Sequence, residues 1–403
     1  MSALGPRVFL ATEGFPSTVY DAQVVDLLRA LDGAGLRFDM VDYDPLLPRT
    51  LATSQGRERV ERLRAALPGR LVVRPFVPWE DRLGAPQATL TLRRLLAGAP
   101  RLVHARGLVA AWLACRAAAG RRDVAVVYDA RGDAVAEHRF HHAGHGAGEA
   151  PGLGRILRME GEVIARAARV FAVSQALVDV LAGRHPQVSG KARVFPCACD
   201  AERFRPDPAA RARWREELGL TERWVLVYAG SLIPYQLPER VAVAGRIAHM
   251  ARPDAHLLLL TPDPIRAATL LQAADLPPGS WTVRAASHAE MPGLLAAADA
   301  GLLLRRDDPV NAVASPTKLA EYLAAGLPVL VSRGIGDLSA WVAAEGLGQV
   351  VDDPDDDVAL LHALKRLREA PPAPARVAAA AREHLSRARF LPAYLEEYAA
   401  LTP

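Results

Sequence analysis

The chain has 403 residues, of which 51% are hydrophobic and 23% charged, and its formal net charge is +4. This length predicts two or three domains, and the composition is that of a globular protein, which excludes disordered, collagen-like and disulfide-scaffold classes. No apolar run approaches the ~18 residues that a membrane-spanning helix needs. An odd number of cysteines, three, favours a cytoplasmic protein without a disulfide framework.

The charged residues give no support to nucleic-acid binding. Lysine occurs only at Lys191, Lys318 and Lys365, so arginine carries most of the positive charge. The sequence contains no zinc-finger spacing, no aromatic RNA-binding motif and no basic tail. We therefore expect no nucleic-acid partner.

The first half of the chain alternates short apolar runs with helical patterns. Residues 7–11 are typical of a strand, a Gly/Pro turn follows, and apolar residues at helical spacing predict a helix over 20–31. Further strands are predicted at 38–41, 71–73, 102–104, 124–128 and 170–173, and residues 194–195 close the first domain. Helices are predicted at 108–118 and 155–168. This alternation predicts a Rossmann-like parallel sheet.

A second series of the same kind follows a proline-containing linker at 196–208. It opens with a strand at 224–228, a loop at 229–238 and a helix at 239–250. Its further strands are predicted at 257–260, 281–284, 301–304 and 328–332. The fold class is therefore α/β, with two Rossmann-like parallel-sheet domains. Because such sheets bind ligands beyond the carboxyl ends of their strands, two of them facing each other predict a cleft.

Four segments resemble the GT-B glycosyltransferases of the large retaining group called family four. The most specific is SPTKLAEYLAAGLPV at 315–329, which resembles that family's donor-site motif. The segments RVFAVS at 169–174, VFPCACDAERFRP at 194–206 and LAAADAGL at 295–302 resemble other family segments in the same order. The resemblance implies a GT-B fold with an acceptor domain at 1–198 and a nucleotide-sugar donor domain at 199–385. A helix at 386–403 would return to the first domain.

The donor motif also makes physical sense. A helix that starts near Lys318 offers free N–H groups and a partial positive charge, which suit a diphosphate. Glu321, one turn further on, can accept the ribose hydroxyls, although it could also be an ordinary acid near a helix start. The donor-site candidates are Gly230, Ser231, Gln236, Arg305, Ser315, Thr317, Lys318 and Glu321.

The chain departs from the family pattern at three positions. Val313 stands where the family commonly has the first acid of a Glu pair, and Ser231 and Gln236 stand where it often has Arg and Lys. The diphosphate charge must then be met by Lys318, by an arginine such as Arg305 and by the helix dipole.

The first domain supplies two further groups of candidates. Residues 14–18 stand in the place of the family's glycine-rich loop, although a plain strand–helix turn is the alternative. The candidates for acceptor or phosphate contact in this loop are Gly14, Ser17 and Thr18. The candidate catalytic residues, each near a strand end, are His104, Asp129 and Arg131. Asp129 and Arg131 could bind sugar hydroxyls or form an ion pair that fixes their loop.

A run of histidines invites a metal site. The residues concerned are His138, His141, His142 and His145. Three glycines between 144 and 148 favour a loop instead, so we expect neither a metal nor another cofactor.

The chain ends in a predicted helix over 378–401. Leu391, Tyr394, Leu395 and Tyr398 form one apolar stripe, and Pro392 should kink the helix or restart it. Such a helix suits a return to the first domain, and packing on the second domain is the alternative.

The resemblance implies a glycosyltransferase that moves a sugar from a nucleotide-diphosphate sugar to a saccharide, lipid-linked or small-molecule acceptor, with retention. Two alternatives stay open. One is an impaired homologue that binds a sugar nucleotide or a protein partner, and the other is a sugar-nucleotide epimerase. We expect a cytoplasmic protein, with peripheral contact at the inner face of the membrane as an open question.

Overall fold

A computed structural model describes residues 4–12, 20–44, 47–75, 84–98, 101–142 and 151–402. The chain forms two compact units. The first comprises Met1–Pro196 together with Phe390–Pro403, and the second comprises Cys197–Arg389. The chain thus enters the second unit after Pro196 and re-enters the first one at Phe390.

Among the described residues, the first unit contains a seven-stranded sheet in which all strands run parallel. Its strands are β1 (Arg7–Ala11), β2 (Asp39–Asp44), β3 (Leu71–Pro75), β4 (Leu102–Arg106), β5 (Ala125–Ala130), β6 (Arg169–Ala172) and β7 (Ala192–Val194). They lie in the order β3-β2-β1-β4-β5-β6-β7, so the strand order reverses between β1 and β4. Ligands of such sheets bind beyond the carboxyl ends of the strands at that reversal.

The helices of the first unit connect these strands. They are α1 (Asp26–Gly33), α2 (Leu47–Ala52), α3 (Ser54–Ala66), α4 (Gly84–Leu95), α5 (Leu108–Ala117), α6 (Ala134–His141), α7 (Leu153–Arg166) and α8 (Gln175–Arg184). A π-helical turn, Asp21–Val25, precedes α1. Local capping fixes several helix starts: the hydroxyl of Ser174, for example, accepts a hydrogen bond from the N–H of Leu177 at 3.0 Å.

The second unit contains a six-stranded parallel sheet within the described part of the chain. Its strands are β8 (Trp224–Ala229), β9 (Ala255–Leu260), β10 (Trp281–Arg284), β11 (Ala300–Leu303), β12 (Val329–Ser332) and β13 (Gly348–Val351). The order is β10-β9-β8-β11-β12-β13, with the reversal between β8 and β11. The predicted α/β fold class is confirmed, although β13 was not among the predicted strands.

The helices of the second unit are α9 (Pro208–Glu217), α10 (Pro238–Ala251), α11 (Pro264–Ala273), α12 (Met291–Ala296), α13 (Pro309–Ala312), α14 (Thr317–Ala324), α15 (Leu338–Ala344), α16 (Asp357–Glu369) and α17 (Pro374–Leu385). Close packing joins α14 to the sheet. A Cβ atom on Gly301 of β11 would lie only 2.4 Å from the Tyr322 ring of α14. Glycine at 301 therefore allows the fully buried Tyr322 to lie directly on the strand.

The end of the chain differs from the single helix predicted over 378–401. The helix is interrupted at Ser386, which separates α17 from α18 (Arg387–Leu401). Ser386 is extended because the backbone on either side of it pairs with Cys199, which donates to the carbonyl of Leu385 at 3.0 Å and accepts from the N–H of Arg387 at 2.8 Å. Pro392, where a kink or restart was predicted, lies inside α18.

The stripe on α18 packs in the core of the first unit. Tyr394 stacks on Phe195 with ring centroids 3.9 Å apart, and the fully buried Tyr398 lies against Phe38 and Phe171. The carboxylate of Glu397 adds ion pairs to two arginines of the first unit, Arg169 and Arg193.

Candidate functional site

The strand-order reversal of the second sheet brings two sequence-predicted residues near each other. Gly230 follows β8 directly, and Arg305 lies two residues after the end of β11. Since β8 and β11 are neighbours in the sheet, both residues lie at the carboxyl edge where ligands of such folds bind.

Lys318 of α14 reaches this edge. Its Nζ donates a hydrogen bond to Oε1 of Gln236 at 2.5 Å and lies 4.5 Å from the centre of the Tyr228 ring. A Cβ atom on Gly230 would be 2.3 Å from the same Nζ, and the φ of Gly230 is +152°. The backbone conformation therefore favours glycine at 230, and a side chain there would displace the end of Lys318.

Gln236 is itself held in place by its neighbours. It is buried in a short 3₁₀ turn, Pro234–Gln236. Its Nε2 donates to the hydroxyl of Ser231 at 3.2 Å, and its Oε1 accepts from the hydroxyl of Tyr228 at 2.8 Å. The amide oxygen that receives Lys318 is thus fixed in orientation.

Arg305 supplies a second cation at the same edge. It is 7% exposed, and its Nη1 donates to Oδ1 of the fully buried Asn311 at 2.9 Å. The guanidinium lies over the Tyr235 ring, 5.6 Å from the ring centre, and the backbone N–H of Arg305 donates to the hydroxyl of Ser332 at 2.7 Å. These neighbours are neutral, so they orient the cation without cancelling its charge.

The charges of Lys318 and Arg305 are not paired within the described part of the chain, where neither forms an ion pair with a carboxylate. Burial, with added repulsion from Arg305, holds the pKa of Lys318 well below its ordinary value. Burial also lowers the pKa of Arg305. Two cations that are desolvated and close together favour an anion between them.

Helix α14 begins beside these cations. Its first residue is Thr317, and no side chain caps the helix start. Just before it, the buried hydroxyl of Ser315 accepts a hydrogen bond from the N–H of Cys197 at 3.0 Å. Glu321 lies one turn into the helix, half-buried, and acts electrostatically on Lys318. The helix start therefore adds its dipole to the two side-chain cations.

In the first unit, the structure brings the three predicted catalytic residues together. Nη1 of Arg131 lies 3.2 Å from Oδ1 of Asp129, and Nε2 of His104 lies 3.3 Å from Oδ2 of the same carboxylate. Burial acts to raise the pKa of Asp129, but Arg131, His104 and Arg106 together hold it below its ordinary range. The Arg131 side chain is 17% exposed, whereas His104 is completely buried.

Sequence reasoning missed several residues of both sites. In the first unit, Oε1 of Gln23 accepts from Arg106 at 2.6 Å and from Arg131 at 3.0 Å, and Tyr398 contacts His104. The residues missed in the second unit are Tyr228, Tyr235 and Asn311. Arg106 could have been found, because it ends a strand two residues after His104.

The predicted loop residues of the first domain and the histidine run do not belong to either of these two clusters. Gly14, Ser17 and Thr18 lie outside the described residues, as does His145. The rings of His138 and His142 have centroids 4.2 Å apart and planes tilted by 31°, and Nε2 of His138 is 2.7 Å from the carbonyl of Pro151. Across the ranges that the structure describes, no group of three or more His, Cys, Asp or Glu side chains is arranged to hold a metal. In the same ranges no helix combines the length and the hydropathy needed to cross a bilayer.

A family model and a curated protein are similar in sequence to parts of this chain. Residues 22–203 match the model described as Glycosyltransferase Family 4. The GDP-mannose-dependent alpha-(1-6)-phosphatidylinositol monomannoside mannosyltransferase of Mycolicibacterium smegmatis is 30% identical over 167 residues, which are 40% of this chain and 44% of the relative. The chain thus spans less than half the length of the curated relative it matches.

Solved structures resemble the chain over almost its whole length. Anabaena Alr3699/HepE, solved in complex with UDP and glucose, has a TM-score of 0.73 and 16% identity over 98% of this chain and 99% of that one. A glycosyltransferase from Rickettsia africae ESF-5 has a TM-score of 0.69 and 11% identity over 98% of each chain. At these identities the likeness shows the fold. The chain therefore has the α/β fold of the GT-B glycosyltransferases, and its residues 22–203 are similar to Glycosyltransferase Family 4.

Proposed function

We propose that this protein is a glycosyltransferase that moves a sugar from a nucleotide-diphosphate sugar to a saccharide, lipid-linked or small-molecule acceptor, with retention at the anomeric carbon. The observation that carries the proposal is a pair of cations, the buried Arg305 and the half-buried Lys318, at the strand-order reversal of the second sheet and beside the start of α14.

A departing nucleoside diphosphate is the ligand that this arrangement suits. As the glycosidic bond breaks, negative charge develops on the diphosphate and positive charge on the sugar ring. Cations that are already in place and partly dehydrated stabilise the developing anion strongly, because little solvent has to reorganise. The N–H groups at the start of α14 bind phosphate oxygens in the same way. We assign the ribose hydroxyls to the carboxylate of Glu321, one turn into α14.

Lys318 also accounts for two of the three departures from the family pattern. Ser231 and Gln236 are neutral where the family often has Arg and Lys. The Nζ of Lys318, however, lies 2.5 Å from the side chain of Gln236 and next to Gly230. A cation therefore reaches the loop after β8 from helix α14, and the charge requirement of a diphosphate is met from a different element.

The names of the similar proteins support a nucleotide-sugar donor. Structures of Alr3699/HepE are described as complexes with UDP, with UDP and glucose, and with UDP-glucose. The mycobacterial relative is named as GDP-mannose-dependent. Because these relatives differ in base and sugar, both uridine and guanosine donors belong in the first test.

For the first unit we propose contact with the sugar or the acceptor. Arg131 is the most exposed member of its cluster, with Asp129 behind it, so the Arg131 guanidinium would donate to sugar hydroxyls while Asp129 holds it in place. His104 is fully buried, and we assign it no direct contact with substrate.

The proposal is tested by incubating the purified protein with UDP- and GDP-sugars and candidate acceptors. Release of nucleoside diphosphate is followed by a coupled assay, and the anomeric configuration of the product by NMR. Lys318→Ala should lower turnover and nucleotide affinity roughly ten- to a hundredfold, as expected for loss of a charge-assisted contact of about 1.5–3 kcal/mol. Lys365→Ala is the matched control, because Lys365 is 64% exposed and pairs with Glu369. Wild-type turnover in Lys318→Ala would overturn the site assignment, and inversion would overturn retention.

One observation favours a second candidate, a homologue that binds the nucleotide without transferring the sugar. Val313, in the place of the family's first acid, is 1% exposed and apolar. This candidate predicts that the protein binds UDP or GDP in a Lys318-dependent manner and yet yields no glycosylated product with any acceptor.

A further inference from the structure

We infer that Tyr398, on the last helix, is a positioning residue that acts through His104 on Asp129. Its hydroxyl fixes the imidazole tautomer whose N–H faces the Asp129 carboxylate, and so keeps that carboxylate set to orient Arg131. The inference rests on the proposed function, because that function gives Arg131 a substrate to contact.

The three side chains form a continuous line. The hydroxyl of Tyr398 is 2.8 Å from Nδ1 of His104, and Nε2 of the same ring is 3.3 Å from Oδ2 of Asp129. The other oxygen of Asp129 is 3.2 Å from Arg131. The line thus leads from the apolar core of the first unit to the partly exposed Arg131.

The sheet register holds the imidazole in this line. His104 on β4 is the direct partner of Phe9 on β1, and the two rings stack with centroids 4.7 Å apart and planes 14° apart. The edge of Phe171 and the ring of Tyr398 close off other sides of the imidazole. His104 and Tyr398 are both completely buried, so water does not compete for the ring nitrogens.

The chemistry of the partners selects one tautomer. The Asp129 carboxylate accepts hydrogen bonds and faces Nε2, so the proton belongs on Nε2. Nδ1 then has a lone pair, to which the phenolic O–H of Tyr398 donates. The tautomer of a histidine is set by the hydrogen bond at its other nitrogen, and here the Nε2–H tautomer suits both neighbours.

Removing the Tyr398 hydroxyl should undo this selection. A buried Nδ1 without a donor is unfavourable, whereas a shift of the proton to Nδ1 turns the lone pair of Nε2 toward the carboxylate. Either outcome weakens the interaction of His104 with the Asp129 carboxylate. That carboxylate would then be oriented by Arg131 and Arg106 without His104, and the Arg131 guanidinium would be less firmly positioned.

The experiment compares Tyr398→Phe with Tyr394→Phe in the full chain. Both variants remove a hydroxyl from a buried tyrosine of α18, but the Tyr394 ring stacks on Phe195 rather than bonding His104. NMR of protein labelled with ¹⁵N-histidine, assigned with His104→Gln, should report the Nε2–H tautomer in wild type and in Tyr394→Phe. It should report a changed His104 tautomer in Tyr398→Phe.

Kinetics supply the second readout. In Tyr398→Phe we expect kcat to fall about tenfold while KM for the nucleotide sugar stays within about twofold, since the proposed donor site lies in the second unit. An Nδ1–H tautomer in wild type, or an unchanged His104 spectrum in Tyr398→Phe, would overturn this inference, and so would an unchanged kcat. Absence of any transfer by wild type would overturn the proposed function instead, because the tautomer measurement requires no turnover.

Discussion

The ammonium of Lys318 and the side-chain oxygen of Gln236 lie 2.5 Å apart, although 82 positions separate the two residues along the chain. The contact joins a cation to a neutral acceptor. It therefore orients Lys318 without consuming its charge, and the charge stays available for an anionic ligand. A carboxylate at 236 would orient the lysine equally well and cancel it.

Gln236→Glu tests this distinction with an isosteric change. The new carboxylate should stabilise the fold, because it pairs with a partly dehydrated ammonium, and the melting temperature should rise. Nucleoside diphosphate affinity should fall roughly ten- to a hundredfold, because the ligand meets a neutralised lysine and an added negative charge. Titration calorimetry and thermal melting measure the two effects, with Gln272→Glu on the exposed face of α11 as the control. Unchanged affinity in Gln236→Glu would show that Lys318 does not contact the ligand.

Gly230→Ala should lower both the stability of the protein and its affinity for the nucleotide. The added methyl would lie 2.3 Å from the Nζ of Lys318, so the flexible end of the lysine has to move away. Backbone strain at φ +152° should cost about 1–3 kcal/mol in the free energy of unfolding. Nucleotide affinity should fall as in Lys318→Ala.

The matched control is Gly183→Ala in α8, where a Cβ has no neighbour within 4 Å. It should stabilise the helix by about 0.5–1 kcal/mol and leave binding unchanged. Wild-type affinity in Gly230→Ala would mean that the position of Lys318 beside Gly230 is irrelevant to the ligand.

Truncation before Phe390 should unfold the first unit selectively. Tyr394 and Tyr398 are buried in its core, and losing a buried aromatic side chain costs about 3–5 kcal/mol. Hydrogen exchange should then show lost protection in β1, β4, β5 and β6, with protection retained in β8, β9, β11 and β12. A chain ending at Leu401 is the control. Full protection of β4 in the truncated chain would contradict the role of α18.

Asp129 should make the stability of the protein depend on pH. Burial would raise the pKa of this carboxyl, but Arg131, His104 and Arg106 hold it below its ordinary value, so unfolding moves it back up to about 3.9. The unfolded state then binds more protons, and the contribution to stability is complete above about pH 4–5 and is lost as the pH falls further.

Urea unfolding of wild type and Asp129→Asn between about pH 3 and pH 7 measures this contribution. The difference in unfolding free energy should be largest near neutral pH and should shrink below about pH 4. Asp179→Asn, at an exposed position on α8, is the control. Curves for wild type and Asp129→Asn that stay parallel across the range would exclude a stabilised Asp129 carboxylate.

Local pattern was enough to predict most of the strands and the position of α14. Buried parallel strands are near-continuous apolar runs, and residues 315–318 combine a helix-breaking proline with a helix start. Local pattern did not predict the structure at positions where contacts with distant residues determine the backbone conformation. Ser386 interrupts a helical sequence because its neighbours bond to Cys199, and β13 is a short edge strand in which only Val351 is buried.

The candidate sites show the same limit. Sequence pattern identified Lys318, but its contact with Gln236 depends on the register of β8 and β11 and on the turn after β8. His104 was selected as a residue near a strand end, whereas its burial and its bond to Tyr398 depend on where the last helix packs. Contacts between residues so far apart in the sequence produce no periodic pattern in the sequence around either residue.

The most direct test of the donor-site assignment is a crystal structure of the protein soaked with UDP or GDP. We expect the diphosphate to lie at the start of α14, with phosphate oxygens within hydrogen-bonding distance of the Nζ of Lys318 and facing Arg305. A diphosphate bound elsewhere on the protein, with Lys318 still on Gln236 and no phosphate beside it, would contradict the donor-site assignment.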